Sequence, residues 1–247
     1  MRILPVLDIQ QGVVVRGVGG RRQEYRPVVS KLTTSARPVD VALAFRDHFG
    51  FEELYLADLD AIAGAPPAFS LYTDLHQLGF RLWIDAGVRD EDDAHALAAA
   101  GVEHVIAGLE TLPGPETLAA IGQTLDGDQV VFSLDLRGGQ PLAAPAWGAR
   151  DPWHIAVWAL DQGIRRLLVL DLARVGEKQG TGTEDLCSRL HRTYPDLFLL
   201  AGGGVRHRDD LRRLRACGVQ AALVASSLHD GQLTAETVRL GSEDHLE

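Results

Sequence analysis

The sequence contains little cysteine and no long apolar run. Only Cys187 and Cys217 occur in 247 residues, both in polar, helix-like surroundings. A disulfide framework is therefore not expected, and unpaired thiols favour the cytoplasm. No apolar run approaches the ~18 residues that cross a membrane, and the first residues lack the apolar region of a signal peptide. The composition predicts a cytoplasmic protein that has no membrane partner.

Positive charge is also scarce, since the net charge is −10 and the basic residues are almost all scattered arginines. Without a basic stripe, nucleic acid is not expected as a partner. Small phosphorylated ligands remain open, because backbone amides and helix ends bind phosphate locally. The nine histidines show no ligand spacing and no Cys/His cluster occurs, so no metal site is expected.

Two matched stretches stand out, ILPVLDIQQG at 3–12 and VVFSLDLRGG at 130–139. Each begins as a buried strand, and each carries an aspartate near the strand's end, Asp8 in the first and Asp135 in the second. A carboxylate at the end of a buried strand is costly unless it is hydrogen-bonded or functional. The match predicts two equivalent halves of one site.

Strands and helices alternate along the chain, with about 250 residues in all. This pattern predicts a single α/β domain over residues 1–247, a (β/α)8 TIM barrel; an open doubly wound sheet is the alternative. After the opening strand, the predicted strands are 53–60, 81–87, 104–109, 130–137, 166–173, 197–202 and 221–226. The predicted helices are 38–48, 68–78, 90–100, 115–124, 152–162, 183–194, 208–216 and 236–240.

An ungapped internal repeat supports the barrel. DAGVRDEDDAHALAAAGV at 85–102 matches GGGVRHRDDLRRLRACGV at 202–219. Each copy covers the third or seventh strand, its loop and the following helix. The repeat predicts two half-barrels of four strands each.

In such a barrel the carboxyl ends of the strands and the following loops form the active face. Asp8 and Asp135, on strands one and five, would face each other across the mouth as an acid/base pair. Alternatively, they cap loops or hold Arg16 and Arg137. Further candidates at strand ends are Asp58, Asp60, Asp85 and Asp171.

A triple glycine, Gly202, Gly203 and Gly204, precedes a helix and predicts a phosphate cradle, although such a run is often only a tight turn. Ser226 and Ser227 after strand eight would complete it.

The equivalent first-half site contains Gly87 and Gly108, but Asp85 replaces the first glycine. A carboxylate ~4 Å from a phosphate would repel it by several kcal/mol at an effective dielectric near 20. In the alternative, Asp85 turns away into an ion pair with Arg89 or Arg81.

Two loops beside the mouth carry further candidates. Residues 13–37 form a long polar segment, typical of a functional lid, and residues 12–18 of it are expected to extend the sheet. Arg16, at its start, is a candidate substrate contact. Trp147, after strand five, could stack on a substrate ring, with core packing as an equal alternative.

Five segments together resemble the HisA/HisF barrels of histidine biosynthesis, over nearly the whole chain to Gly231. They are LPVLDIQQGVVVRG (4–17), LYLADLDAIAG (54–64), AGVRDEDDAHALAAAGVEHVIAG (86–108), FSLDLRGG (132–139) and LAGGGVR (200–206). In that family the aspartates of strands one and five are the catalytic pair, glycine-rich loops hold two phosphates and no cofactor is needed. Strand five is more similar to HisA, the isomerase that converts an aminoaldose into an aminoketose. The resemblance implies that Asp8 is the base and Asp135 the acid.

Several positions depart from the isomerase pattern. Leu170 stands where a threonine is usual, so that only the following acidic residue, Asp171, is kept. Asp85-Ala86 and Ala225 replace glycines of the phosphate loops, and residues 19–27 are rich in arginine. These departures resemble paralogues linked to tetrahydromethanopterin one-carbon genes.

The expected function is therefore an isomerase of a small phosphorylated metabolite, acting as a monomer or small homo-oligomer. The alternatives are a lyase or condensing enzyme of pterin-type cofactor synthesis, and a phosphate-binding barrel that has lost catalysis.

Overall fold

The computed structural model describes residues 1–148, 151–177 and 180–243. Eight parallel strands form a closed barrel, because β1 pairs with β8 on one side and with β2 on the other. In register, Arg2 lies opposite Ala221 and Val6 opposite Tyr55. The closed sheet confirms the predicted (β/α)8 fold and excludes the open doubly wound alternative.

The strands and helices lie close to their predicted bounds. The barrel strands are β1 Arg2–Gln10, β2 Glu53–Asp58, β3 Arg81–Asp85, β4 His104–Gly108, β5 Val130–Arg137, β6 Arg166–Asp171, β7 Phe198–Gly202 and β8 Ala221–Val224. The helices outside them are α1 Pro38–Phe49, α2 Phe69–Gln77, α3 Glu91–Ala99, α4 Pro115–Thr124, α5 Pro152–Asp161, α6 Glu184–Thr193, α7 Arg208–Ala216 and α8 Ala235–Glu243.

Short helices also follow two of the strands, Leu59–Ile62 after β2 and Ser226–His229 after β8. Three helices begin with an expected sequence signal, since α1, α4 and α5 each start at a proline. The first N–H groups of a helix have no acceptor within it, so a residue that lacks an N–H is tolerated there.

Large apolar side chains fill the inside of the barrel. One buried cluster takes residues from every strand, Leu4, Tyr55, Trp83, Ile106, Val131, Leu168, Leu200 and Leu223. A second, larger cluster lies between the strands and the helices. The interior is thus a packed core, and the mouth at the carboxyl ends of the strands is where a ligand would bind in such a barrel.

Both aspartate-bearing strands continue into a hairpin. After β1 the chain turns at Gln11 and Gly12, with φ of 52° and 75°, and Val13–Arg16 pairs back onto β1. After β5 it turns at Gly138 and Gly139, with φ of 60° and 79°. Positive φ at both turn residues matches the strand twist of a tight hairpin. The predicted β extension is present. The same kind of turn follows the aspartate-bearing strand in each half of the barrel.

The internal repeat is visible in its hydrogen bonds. In the first copy the Arg89 N–H donates to Asp93 Oδ2 at 2.9 Å, and in the second the Arg206 N–H donates to Asp210 Oδ2 at the same distance. In each copy the carboxylate occupies the first turn of the helix, where orphan N–H groups need acceptors. The same short sequence therefore builds the same loop twice.

Within the described ranges, no helix is long and apolar enough to cross a membrane. Cys187 is buried, Cys217 is partly exposed, and both are free thiols.

Candidate active site

A cavity that is partly open to solvent lies at the carboxyl ends of the barrel strands, with about 960 Å³ of space between its walls when the solvent-exposed part is counted. Asp8 and Asp135 both line it, as do Asp85 and Glu110 from the first half-barrel. The end formed by the second half-barrel includes Gly203. The structure therefore brings the matched strand-end aspartates into one cavity, as the sequence predicts, together with two further carboxylates.

Asp8 lies at the end of β1, opposite Val15 of the hairpin. Its burial raises the pKa of the carboxyl to about 6, and the positive charge of Arg22 partly offsets this. Tyr25 lines the cavity beside it, and burial together with the charge of Asp8 raises the pKa of the Tyr25 hydroxyl to about 12. At neutral pH Asp8 is therefore mostly ionised and able to accept a proton, whereas Tyr25 keeps its proton.

Asp135 lies deeper, with 4% of its surface exposed. The Ser133 hydroxyl donates to Asp135 Oδ1 at 2.6 Å, and the Glu110 N–H donates to Oδ2 at 3.3 Å. Burial and the negative charges of Glu110 and Asp85 nevertheless raise the pKa of Asp135 well above its ordinary value. The surroundings of Asp135 therefore favour its protonated form.

Asp85 faces the cavity and does not turn away into an ion pair. Arg89 donates instead to the carbonyls of Ile62 and Gly87, each at 2.7 Å. Arg81 pairs with Glu53 at the other end of the strand, at 3.1 Å. The predicted ion-pair alternative is wrong because both arginines have other partners. Burial, with the charge of Glu110, raises the pKa of Asp85 to about 7.

Arg22 and Glu110 form an ion pair inside the cavity. Arg22 lies on a single-turn helix, Arg22–Glu24, within the long segment after β1. Glu110 follows β4, which places the pair at the first-half end of the mouth. The sequence indicated an arginine-rich loop but not its partner, because the two residues are 88 positions apart.

The long segment after β1 crosses the mouth. Besides Arg22, its Gly19 N–H donates to the Val175 carbonyl at 2.7 Å, and Arg21 pairs with Glu177 at 3.0 Å. Val175 and Glu177 follow β6, in the second half-barrel. The segment is thus fastened to both halves of the barrel, in the place where a lid was predicted.

The predicted phosphate cradle borders the opposite end of the cavity. Gly203, Gly204 and Ser226 line it, and both glycines have left-handed backbone, with φ of 84° and 83°. Gly202 lies in β7, where a Cβ would come within 2.7 Å of Leu223 Cβ. Ser227 is buried and does not line the cavity. Gly202 therefore serves strand packing, and the cavity surface is formed by its two successors and Ser226.

In the first half, Gly87 and Gly108 do not line the cavity. The Gly87 N–H donates to Asp85 Oδ1 at 3.1 Å. At Gly108, a Cβ would lie 3.2 Å from Asp135 Oδ2. Gly108 therefore makes room for a carboxylate, and Gly87 for the backbone of the short helix after β2, where a Cβ would lie 2.6 Å from Ile62 Cα.

Three other predicted contacts lie outside the cavity. Asp171 accepts the N–H groups of Gly138 and Gly139, at 2.9 and 2.8 Å, and so holds the turn after β5. Arg16 pairs with Asp230. Trp147 is buried, and its indole N–H donates to the Leu112 carbonyl at 3.2 Å, so the core-packing alternative describes it.

Asp58 and Asp60 also have structural partners. Asp58 accepts the Tyr72 hydroxyl at 2.5 Å and caps the short helix after β2 through the Ala61 N–H at 3.1 Å. Asp60 accepts the Gln11 N–H at 2.6 Å and so holds the turn after β1. Neither carboxylate lines the cavity.

Tyr55, which sequence reasoning did not single out, is buried and lines the cavity. Burial and the surrounding carboxylates raise the pKa of its hydroxyl well above the ordinary value. No sequence signal pointed to this place in the cavity, because a tyrosine in the middle of a strand such as β2 is typical of a packed core. Among the residues described, no group of three or more His, Cys, Asp or Glu side chains is arranged to hold a metal ion.

Comparisons with known proteins agree with this architecture. The family model for histidine biosynthesis proteins matches residues 2–234. An isomerase of Renibacterium salmoninarum is 32% identical over 95% of this chain and 93% of its own length. An isomerase of the same name from Halobacterium salinarum is 31% identical over 98% and 97%. That name describes an imidazole carboxamide carrying two phosphoribosyl groups.

An uncharacterized protein of Methanocaldococcus jannaschii is 27% identical over 96% of this chain and 97% of its own length. Similarity thus extends along more than nine tenths of both named isomerases and of an uncharacterized relative. The chain belongs to the histidine biosynthesis protein family, within which it is similar to isomerases.

Proposed function

We propose that this protein is an aldose–ketose isomerase that performs an Amadori-type rearrangement on a phosphorylated aminosugar, without a cofactor. The observation that carries the proposal is the pair Asp8 and Asp135, which line one cavity in different electrostatic surroundings: Arg22 works to lower the pKa of Asp8, whereas Glu110 and Asp85 raise the pKa of Asp135. Two carboxyls whose environments push their pKa values apart suit opposite roles as base and acid. The named isomerases among the relatives support the reaction class.

The proposed reaction begins at the sugar ring. Protonated Asp135 gives its proton to the ring oxygen, the bond from that oxygen to the anomeric carbon breaks, and a protonated imine remains. Ionised Asp8 then removes the proton from the neighbouring carbon, which gives an enaminol. Asp8 returns its proton to the former anomeric carbon and the enaminol hydroxyl gives its proton to Asp135, which leaves the aminoketose and restores both carboxyls. The pKa of Asp8, about 6, fits its role as base, and the burial and neighbouring charges that raise the pKa of Asp135 favour its role as acid.

The substrate phosphate would bind at the second-half end, beside Gly203, Gly204 and Ser226. Left-handed glycine backbone lets an anion approach the amides closely, and the Ser226 hydroxyl adds a short donor. With the phosphate fixed there, the sugar would extend over the two aspartates. The expected partner is then a small metabolite, and neither nucleic acid nor a membrane is required. The protein would act as a monomer or a small homo-oligomer.

The test replaces each aspartate by its uncharged isostere. D8N and D135N should each lower kcat on the phosphorylated aminoaldose by about 10²–10⁴-fold, the usual contribution of general acid–base catalysis. The dissociation constant for inorganic phosphate should change less than about threefold, because neither residue holds it. E24Q is the control, since Glu24 is exposed on the mouth segment, residues 13–37, which crosses the mouth after β1, and pairs with Arg21. Full activity in both aspartate variants would refute the assignment.

A second candidate is a lyase or condensing enzyme of pterin-type cofactor synthesis on the same scaffold. It is favoured by the first-half end of the cavity, where Asp85, Glu110 and Arg22 replace a glycine-lined phosphate loop. Rescue of a histidine auxotroph would support the isomerase, and failure despite soluble expression would support the second candidate. A barrel without catalysis would show no turnover of any phosphorylated aminosugar in a panel.

A further inference from the structure

The two ends of the cavity differ in charge although the sequence repeat makes them equivalent. In the described part of the chain, the lining residues from β6, β7, β8 and their loops carry no charged side chain. The first-half end is lined by Asp85 at the end of β3, Glu110 after β4, and Arg22 from the mouth segment. Among the described residues, only the part of the cavity formed by β6, β7, β8 and their loops therefore offers a surface that is free of carboxylates.

The Arg22–Glu110 pair occupies the place that a first-half phosphate would take. Both side chains are half-buried, with 31% and 21% of their surfaces exposed, so the pair is part of the cavity wall. A phosphate that drew Arg22 away would leave the Glu110 carboxylate unpaired beside it. Repulsion between like charges in a partly dry site is strong, and separating a half-buried pair leaves an uncompensated charge.

The backbone donors of this end are also occupied. The Gly87 N–H donates to Asp85, and the Glu110 N–H donates to Asp135. A phosphate dianion would have to displace a carboxylate from each of these amides. Side chains and backbone thus oppose an anion at the same place.

We propose that the substrate carries one phosphate, held beside Gly203 and Gly204, and that the Arg22–Glu110 pair together with Asp85 excludes a second phosphate from the first-half end. The inference rests on the proposed function only in taking this cavity as the substrate site. It separates this chain from the relatives whose named compound carries two phosphoribosyl groups.

The test measures binding and needs no turnover. Isothermal titration would compare ribulose 5-phosphate with ribulose 1,5-bisphosphate, a pair that differs by one phosphate. The bisphosphate should bind the wild-type protein at least tenfold more weakly, about 1.4 kcal/mol. In the variant D85N/E110Q, bisphosphate affinity should rise at least tenfold while monophosphate affinity stays within threefold. E24Q removes a carboxylate outside the cavity and should change neither affinity.

Circular dichroism melting establishes that each variant is folded. Should the double variant not fold, E110Q alone should raise bisphosphate affinity at least threefold.

Tighter binding of the bisphosphate by the wild-type protein would overturn the proposal, and so would a bisphosphate affinity that these variants leave unchanged. A tenfold loss of monophosphate affinity in R22A would make Arg22 a phosphate ligand, which also contradicts it. If neither sugar binds, the single phosphate site is itself refuted. None of these outcomes depends on D8N or D135N, so the reaction and the substrate class are tested separately.

Discussion

At the scale of single residues, aspartates in similar sequence contexts serve different purposes. Asp8 and Asp135 end in the cavity, whereas Asp58 accepts a tyrosine hydroxyl and Asp171 accepts two backbone amides. A carboxylate that accepts several N–H or O–H groups is already satisfied. The strand-end position therefore selects candidates, but hydrogen-bond partners alone do not separate them, because Asp135 also accepts two such groups. A position on the cavity wall is what distinguishes Asp8 and Asp135 from the structural carboxylates.

The pH dependence of activity should reflect the two cavity aspartates. Asp8 must be ionised to act as base, and its pKa is about 6, so kcat/KM should rise as the pH increases through 6. Asp135 must be protonated to act as acid, so kcat/KM should fall again above its raised pKa. Steady-state rates from pH 5 to pH 9.5 measure both limbs, and D8N should lose the rising one. A profile that is flat between pH 5 and pH 7 would contradict the role of Asp8.

Trp147 should matter for stability and not for substrate binding. W147F removes the hydrogen bond to the Leu112 carbonyl and part of a buried ring. Urea denaturation should show a loss of about 1–3 kcal/mol in the free energy of unfolding. The KM should change less than twofold. W153F, a matched change at a partly exposed tryptophan, should cost less; a large rise in KM for W147F alone would restore the stacking role.

At the scale of elements, the two copies of the repeat share their loop geometry, but their capping carboxylates, Asp93 and Asp210, have different surroundings. Asp210 is 3% exposed and accepts from the Arg206 guanidinium at 3.0 Å on each oxygen, besides pairing with Arg213. Asp93 is partly exposed, and the Arg89 guanidinium is turned to backbone carbonyls. Burial works to raise the pKa of Asp210, but the hydrogen bonds and charge of Arg206 outweigh it and lower this pKa to about 2.

The difference between the two capping sites should appear in stability. D210N should reduce the free energy of unfolding by about 1–2 kcal/mol at neutral pH, and D93N by less. Because the folded pKa of Asp210 is lowered, its contribution is complete above about pH 4 and is lost as the pH falls toward 2. Thermal or urea unfolding of the wild type and both variants, at pH 7 and pH 3.5, measures this. An equal loss in the two variants would contradict the assigned role of the arginines.

The mouth segment is an element that sequence describes poorly. Residues 13–37 contain only two short strands and a single helical turn, yet contacts at Glu110 and Val175 fasten the segment to both halves. Its position depends on partners from β4 and β6, far away along the chain. Local sequence signals predicted a lid and did not predict which side chain it places in the cavity.

At the scale of the whole molecule, ligand binding should be linked to stability. A phosphate that binds the folded barrel alone raises the free energy of unfolding by RT ln(1 + [L]/Kd), about 2.7 kcal/mol at a hundredfold excess over Kd. Inorganic phosphate should therefore raise the melting temperature of the wild type. S226D places a carboxylate beside Gly203 and Gly204 and should abolish this rise.

The matched control for S226D is T234D. Thr234 is exposed outside the cavity, and its hydroxyl accepts the Thr237 N–H near the start of α8, a role that aspartate can also fill. T234D should keep the full phosphate effect. Retention of that effect in S226D as well would place the phosphate elsewhere on the protein. Differential scanning fluorimetry with chloride at equal ionic strength provides the measurement.

The sequence by itself determined the barrel, the two half-barrels and the matched aspartates. These follow from short-range patterns: the alternation of apolar runs with amphipathic segments, turn glycines, and a repeat such as 85–102 against 202–219. The physics behind them acts over a few neighbouring residues, so the chain carries the signal locally. Strand and helix bounds accordingly differ from their predictions by only a few residues at most ends.

Only the tertiary structure decided which carboxylates share the cavity and which cation faces them. The Arg22–Glu110 pair, the inward position of Asp85 and the amide-bound Asp171 each depend on residues brought together from distant strands. Their pKa values depend equally on burial and on neighbouring charges, which exist only once the barrel has closed. Charge and solvation at the mouth are properties of the assembled surface, and no local pattern of residues contains them.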